Sequence, residues 1–353
     1  MSRYIVKRLL WMLLVLFLVS LITFAIEHAV PGGPFDREGR RLPEEIIANL
    51  MKKYHLDDPY WKQYANYLSD VLVPRITTKK PTSMLEESMI NIELGGGYYF
   101  RWINLGPSYR SRSRTVNDII RDQLPVSMQL GFLAMLIALA IGLPMGILAA
   151  LKQNTVWDYL GMSVAIFGVS VPVVAMGPVL IWIFGVALRW LPPTSWGTKP
   201  PYLLFFIPHN LLSWQFFKYA IMPAFAVGTG YSAIIARLTR ASLLQVVRED
   251  YIRTARAKGL VERVVIVRHA LRNALIPVVT ILGPMFAAVL TGLFVVETVF
   301  GIPGLGSYFV TSITNRDYPV IMGTILLYAV FLVIANAMVD ITYAWLDPRI
   351  RYE

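Results

Sequence analysis

The stretch EDYIRTARAKGLVERVVIVRHALRNALIPVVT, Glu249 to Thr280, sets a dense run of Arg and Lys, broken by one Gly, directly against an apolar segment. Asp250 complements the N-terminus of a helix and Lys258 its C-terminus. Gly259 is the left-handed residue that stops it, so a helix of about two turns is predicted. Within it the small residues Thr254, Ala255 and Ala257 allow close approach to another surface. Tyr251, four residues before Ala255, adds a large contact on the same face. Beyond Gly259 a second helix is expected, with Leu260, Val264, Val267 and Leu271 on one stripe and Arg268 and Arg272 one turn apart. A merely charged turn needs only the cations; the caps, the Gly break and the small residues predict a docking element.

The rest of the chain decides what such an element docks to. Its 353 residues are 56% hydrophobic and 16% charged, with mean hydropathy +0.54, a balance that belongs to the bilayer. The net charge of +11 raises nucleic acid as a partner, but the cations cluster beside apolar runs, as the positive-inside rule describes. No nucleic acid is therefore expected, and membrane lipid is. The absence of cysteine excludes disulfides, thiolate metal sites and Cys nucleophiles.

About six apolar runs reach the roughly 20 residues that a bilayer core demands: Leu9 to Val30, Ser127 to Leu151, Tyr159 to Leu188, Phe217 to Leu238, Leu275 to Phe300 and Val320 to Trp345. The first follows Arg3, Lys7 and Arg8, is too long for a secretory h-region and lacks a small-residue cleavage site, which predicts a signal anchor with a cytoplasmic N-terminus. Threading from there puts KQNTVWD, the Arg-rich stretch and the tail DPRIRYE in the cytoplasm. The organisation expected is an N-terminal span (1–30), an external segment with short helices (31–123), a multi-span membrane domain (124–345) and a cytoplasmic tail (346–353). In the external segment Pro43 and Pro59 mark two short helices, and Val73 to Arg101, with its Gly triplet, reads as a loop.

Chemistry is scarce along these spans. A G-x-x-x-x-G-K-[ST] loop and H-E-x-x-H are both absent, so the chain cannot cradle ATP by itself and a His-based metal site has no support. Glu27, His28 and Glu297 lie near span ends, where snorkelling or pairing with a neighbouring helix accounts for them; Asp340 is deeper. Gly142, Pro144, Gly146, Gly168, Pro172 and Pro178 fit either close helix packing or a bundle that rearranges around a pathway.

Helix, Gly, helix between the last spans resembles the cytoplasmic EAA loop of bacterial ATP-binding-cassette (ABC) importer permeases, in the variant of the peptide-importer subgroup and its B-type permease subunits. LDDPYWKQY, GPSYRSRSRTVNDIIRDQLPVSMQLG, AALKQNTVWDY, VVETVFGIPGLG, NRDYP and DITYAWLDPRIRY carry the same resemblance along nearly the whole chain. There are departures: Arg253, Thr254 and Ala255 stand where the general loop has Glu-Ala-Ala, and Leu271-Arg272 where it has Leu-Pro.

The resemblance implies an all-α polytopic bundle of the type I ABC importer permease fold. It also implies a second permease subunit, two ABC ATPase subunits that carry ATP and Mg, and an extracytoplasmic peptide-binding protein. This chain would bind no cofactor and catalyse nothing. Asp250, Tyr251, Arg253, Thr254, Ala255, Arg256, Ala257, Lys258 and Gly259 would form the ATPase-coupling helix. Pro303, Gly304, Arg316 and Asp317 are the candidates for contact with the binding protein. Oligopeptides are the implied cargo, and nickel, glutathione or a sugar oligomer suits the same motifs. An ion-coupled secondary carrier would show an internal repeat and midplane ionisable residues, and no convincing repeat is visible.

Overall fold

The computed structural model describes residues 2–35, 43–78, 88–111, 113–198, 202–211 and 213–346, so the tail from 347 onward lies outside the described residues. The chain divides into two compact units, one formed mainly by Pro125–Gly304 and the other by Lys7–Leu124 with Leu305–Val330.

In the second of these, α1 (Ser2–Ala29) leads to α2 (Glu44–Lys53) and α3 (Tyr60–Leu72). Pro43 and Pro59 occupy the N-cap positions of α2 and α3, where a residue without an N–H costs nothing. The stretch from Val73 to Arg101, expected to be a loop, instead contains strands β1 (Arg75–Thr77), β2 (Ile90–Gly95) and β3 (Tyr98–Trp102), antiparallel in the order β1-β3-β2. Ile92 pairs with Phe100, and Ile76 pairs with Phe100 on the other side. The Gly triplet is the turn of the β2–β3 hairpin, with Gly95, Gly96 and Gly97 all at positive φ. Alternation in Ile90-Asn-Ile-Glu-Leu94 and the aromatic run Tyr98-Tyr-Phe-Arg-Trp102 carry the strand signal. Helix α4 (Val116–Leu151) follows.

The other unit holds α5 (Val156–Ser170), α6 (Val173–Leu180) continuing into a π-helical stretch Ile181–Ala187, and α7 (Trp214–Val246). Next come α8 (Asp250–Ala257), α9 (Glu262–Val264), a second π-helical stretch Val265–Ala270 and α10 (Leu271–Ala274). Helices α11 (Ile276–Leu290) and α12 (Phe294–Val299) complete it. Its core joins Leu130 and Met135 of α4, Phe216 and Ile235 of α7, Val289 of α11 and Phe300. A Cβ on Gly142 of α4 would stand 2.7 Å from the Ser232 carbonyl oxygen of α7, and one on Gly228 of α7 would stand 2.8 Å from that of Ala134. These glycines therefore serve close backbone crossing. In the unit of α1, α13 (Leu305–Asn315) and the first turns of α14 (Tyr318–Leu346) follow, with Gly323 set against Val116 and Leu105.

Among the described residues five helical stretches are long and apolar enough to cross a membrane: Leu10–Ala29, Val116–Leu151, Trp214–Val246, Ile276–Val299 and Tyr318–Tyr343. The remaining expected span, Tyr159 to Leu188, is interrupted at Pro172, which sits at the N-cap of α6 with ψ 140°. Proline lacks the N–H to continue α5 and pushes the residue before it out of helical geometry. The protein is thus an all-α polytopic bundle with one small sheet.

Candidate functional site

Helix α8 follows Glu249, whose backbone is extended, and carries Asp250 in its first turn and Arg256 in its last. The Thr254 hydroxyl donates to the Asp250 carbonyl at 2.9 Å. At the other end Lys258 and Gly259 donate their N–H groups to the Thr254 and Arg256 carbonyls at 3.1 and 2.9 Å. Gly259 turns there at φ +75°, so the helix ends where the sequence places its stop.

Two faces of this helix differ in kind. Inward, Ile252 is wholly buried and Ala255 nearly so, in a cluster with Ala150 of α4, Leu243 of α7, Val265, Ile266 and Ala270 of the π-helical stretch and Ala274 of α10. Burying one such isoleucine contributes roughly 1.5–3 kcal/mol, enough to bed an eight-residue helix on the ends of α4 and α7. Outward, Tyr251, Arg253, Thr254, Arg256, Ala257 and Lys258 are exposed. The expected pairing of Tyr251 with Ala255 on one face is corrected. Ala255 turns inward with Ile252, while the Tyr251 hydroxyl accepts from Asn273 Nδ2 at 2.8 Å at the surface. Ile252 escaped the sequence reading although it is an isolated aliphatic residue three positions before Ala255 in a polar helix.

The stripe expected after Gly259 is displaced as well. Val265, Ile266, Ala270 and Ala274 face the cluster, and of the expected stripe only Leu271 packs against it, whereas Leu260, Val264 and Val267, with Val261 beside them, stay 39–71% exposed. Two apolar stripes run along this segment, and its wide π-helical turn at Val265–Ala270 shifts the side chains relative to an α-helical count. An exposed apolar apron thus lies beside the cations of α8. Arg256 spans the Gly259 turn to grip Glu262 at 3.1 and 2.7 Å, and the guanidinium holds the Glu262 carboxyl below its ordinary range. Both partners are well exposed, so the pair sets an angle more than it adds stability.

Beneath the site, Arg240 of α7 makes a two-pronged contact to the buried Asp158 of α5, with both hydrogen bonds at 2.7 Å. Asp158 also accepts from the Asn154 N–H at 3.0 Å. The guanidinium keeps this carboxyl below its ordinary value of 3.8. Its stabilising contribution is therefore full at neutral pH and fades as pH falls below that value. Asp158→Ala is expected to cost about 2 kcal/mol, less than breaking a fully buried pair because Arg240 is partly exposed. A lowered unfolding temperature of the purified chain in detergent reads it, and no shift would refute the assignment.

The second set of candidate residues falls in two places, Pro303 and Gly304 in the unit of Pro125–Gly304 and Arg316 and Asp317 in the other. Pro303 is exposed, but Gly304 is buried against the Glu297 carboxyl, which accepts from Ser127 Oγ at 2.7 Å and the Leu293 N–H at 3.0 Å. Asp317 is buried, accepting from Ser108 Oγ and from the N–H groups of Tyr109 and Arg110. Its carboxyl holds the 108–110 loop to the start of α14. Arg316 donates to the Pro31 carbonyl at 2.7 Å, and Asn315 is exposed beside it.

Comparison with known proteins fits this architecture. The family model described as "Binding-protein-dependent transport system inner membrane component" matches residues 142–352, and the model of that system's membrane component N-terminal region matches 1–131. The chain belongs to this family of transport-system inner membrane components. It is 40% identical over 351 residues to the dipeptide transport system permease protein DppB of Bacillus subtilis, covering 99% of this chain and 98% of that protein. The oligopeptide transport system permease protein OppB of Salmonella typhimurium is 38% identical over 352 residues, with 100% of both chains covered. A solved structure of the MetNI methionine ABC transporter in an inward-facing conformation aligns with 64% of this chain and 94% of its own at 16% identity and TM-score 0.46. By its family and its full-length permease relatives, the chain is a multi-pass inner-membrane permease component of a binding-protein-dependent transport system.

Proposed function

We propose that this chain pairs with a second permease to form the pathway of an ATP-driven oligopeptide importer, and that α8 is the peg by which two ABC ATPase subunits drive it. ATP and Mg belong to those ATPases and not to this chain. The observation that carries the reading is the two-sided build of α8. Ile252 and Ala255 sink into the cluster at the ends of α4 and α7, while Arg253, Arg256 and Lys258 point out beside an apolar apron that water does not favour. A partner seated on that face moves the bundle through its own core, as a rigid-body lever. Peptide cargo is supported by the dipeptide and oligopeptide permeases that the chain resembles over its whole length. The cytoplasm holds α8 and both termini in this scheme, since the Arg-rich stretch then obeys the positive-inside rule. Outside, the Asn315–Arg316 corner would meet the peptide-binding protein, and Pro303 is a separate candidate for that contact.

The natural lack of cysteine makes the test direct. Arg253→Cys or Lys258→Cys introduces a unique thiol, and in the assembled, peptide-importing complex it is expected to crosslink to an ATP-binding subunit, with a yield that changes on adding ATP. No crosslink to such a subunit, in a complex that hydrolyses ATP and imports peptide, would overturn the reading.

A further inference from the structure

Glu27 near the end of α1 does not snorkel. It is 7% exposed, and both of its carboxyl oxygens are buried without a hydrogen-bond partner. A cavity of about 470 Å³ surrounds it, walled by α1, α2, α3, the 104–109 loop and the start of α14. The Tyr67 hydroxyl, which also lines the cavity, is likewise buried and without a partner. Burial raises the pKa of that phenol, so its proton stays in place. Such groups are costly to leave unmet. The nearby carboxyls are already engaged: Asp70 holds Arg75 at 2.6 Å, and Asp317 holds the 108–110 loop. His28 is committed through Nδ1 to the Phe24 carbonyl at 2.8 Å.

What Glu27 lacks is a positive hydrogen-bond donor: Arg75 on the same wall is held by Asp70, and neither Glu27 oxygen is reached by a cation among the described residues. The described residues contain no group of three His, Cys, Asp or Glu fit for a metal ion. The aromatic rings of Phe24, Tyr54, Tyr109 and Tyr318 also line the space, and ring faces favour an organic cation over a bare one. Lys53, an exposed residue on the same wall, suits an anionic group carried by the same ligand. We infer that this cavity is a binding site for the primary ammonium end of a small zwitterion, received by the Glu27 carboxyl and the Tyr67 hydroxyl. The α-amino end of a short peptide and the headgroup of phosphatidylethanolamine both present that chemistry. The inference does not rest on the proposed peptide cargo, because the lipid alone would satisfy it.

The experiment uses the full chain in nanodiscs and follows amide hydrogen exchange along α3, with two arms. In phosphatidylglycerol discs, trialanine is compared with N-acetyl-trialanine; without peptide, phosphatidylethanolamine discs are compared with phosphatidylglycerol discs. At least one ammonium-bearing probe is expected to slow exchange in α3 relative to its counterpart, and the responding arm identifies the source. Glu27→Gln keeps the shape and removes the charge, so it is expected to fold and to weaken the effective probe about tenfold or more, as loss of a charge-assisted hydrogen bond does. Tyr67→Phe, which keeps the ring, should weaken it less. Equal exchange with and without the ammonium in both arms, or an undiminished response in Glu27→Gln, would overturn the site.

Discussion

Gly259→Val should leave the chain inserted in the membrane and cut peptide uptake about tenfold or more. The residue stands at φ +75° with no atom within 4 Å of where a side chain would begin, so collision plays no part and the whole cost is in the backbone. A β-branched residue held left-handed costs at least 1–2 kcal/mol. The turn relieves that strain by opening, which releases the Gly259 to Arg256 hydrogen bond and the Arg256–Glu262 clasp across it. Insertion is untouched, because residue 259 belongs to none of the apolar spans. Gly259→Asn is the matched control, since asparagine tolerates this conformation. Uptake of labelled peptide and membrane fractionation check the pair, and normal import by the valine variant would refute the role of the turn.

Ile252→Asp is expected to be more damaging still. The side chain is wholly enclosed by apolar neighbours, where an unpaired carboxylate costs several kcal/mol, more than the short helix gains from staying seated. Helix α8 should then lift from its bed, and trypsin should cut at Arg253 and Arg256 faster than in the parent chain. Uptake falls with it. Ile252→Val removes one methyl for about 1 kcal/mol and should keep both the resistance to trypsin and the transport. Unchanged proteolysis in the aspartate variant would show that the cluster does not hold the helix.

Five of the six expected spans were legible because hydrocarbon length leaves little freedom: about 20 apolar residues in a row have few other uses. The caps and stop of α8 were legible too, since Asp250, Lys258 and Gly259 act on their immediate neighbours. What the sequence could not fix was orientation. Val264 and Val265 are equally apolar, and only contact with Leu243 and Ala150, distant in the chain, decides which one is covered. Asp158 and Arg240 are 82 positions apart, so no local pattern announces their union. The small sheet was obscured because its Gly triplet resembles loop punctuation, although the alternation before it and the aromatics after it were there to be counted.

Where Gly142 and Gly228 bring α4 and α7 together, each glycine lies against a carbonyl oxygen and an isoleucine side chain of the other helix, with no room for a Cβ between them. So tight a seam resists shear and swivel, and if α8 is the proposed peg, a pull on it would arrive as one displacement of the pair, leaving the hinge for cargo to lie elsewhere.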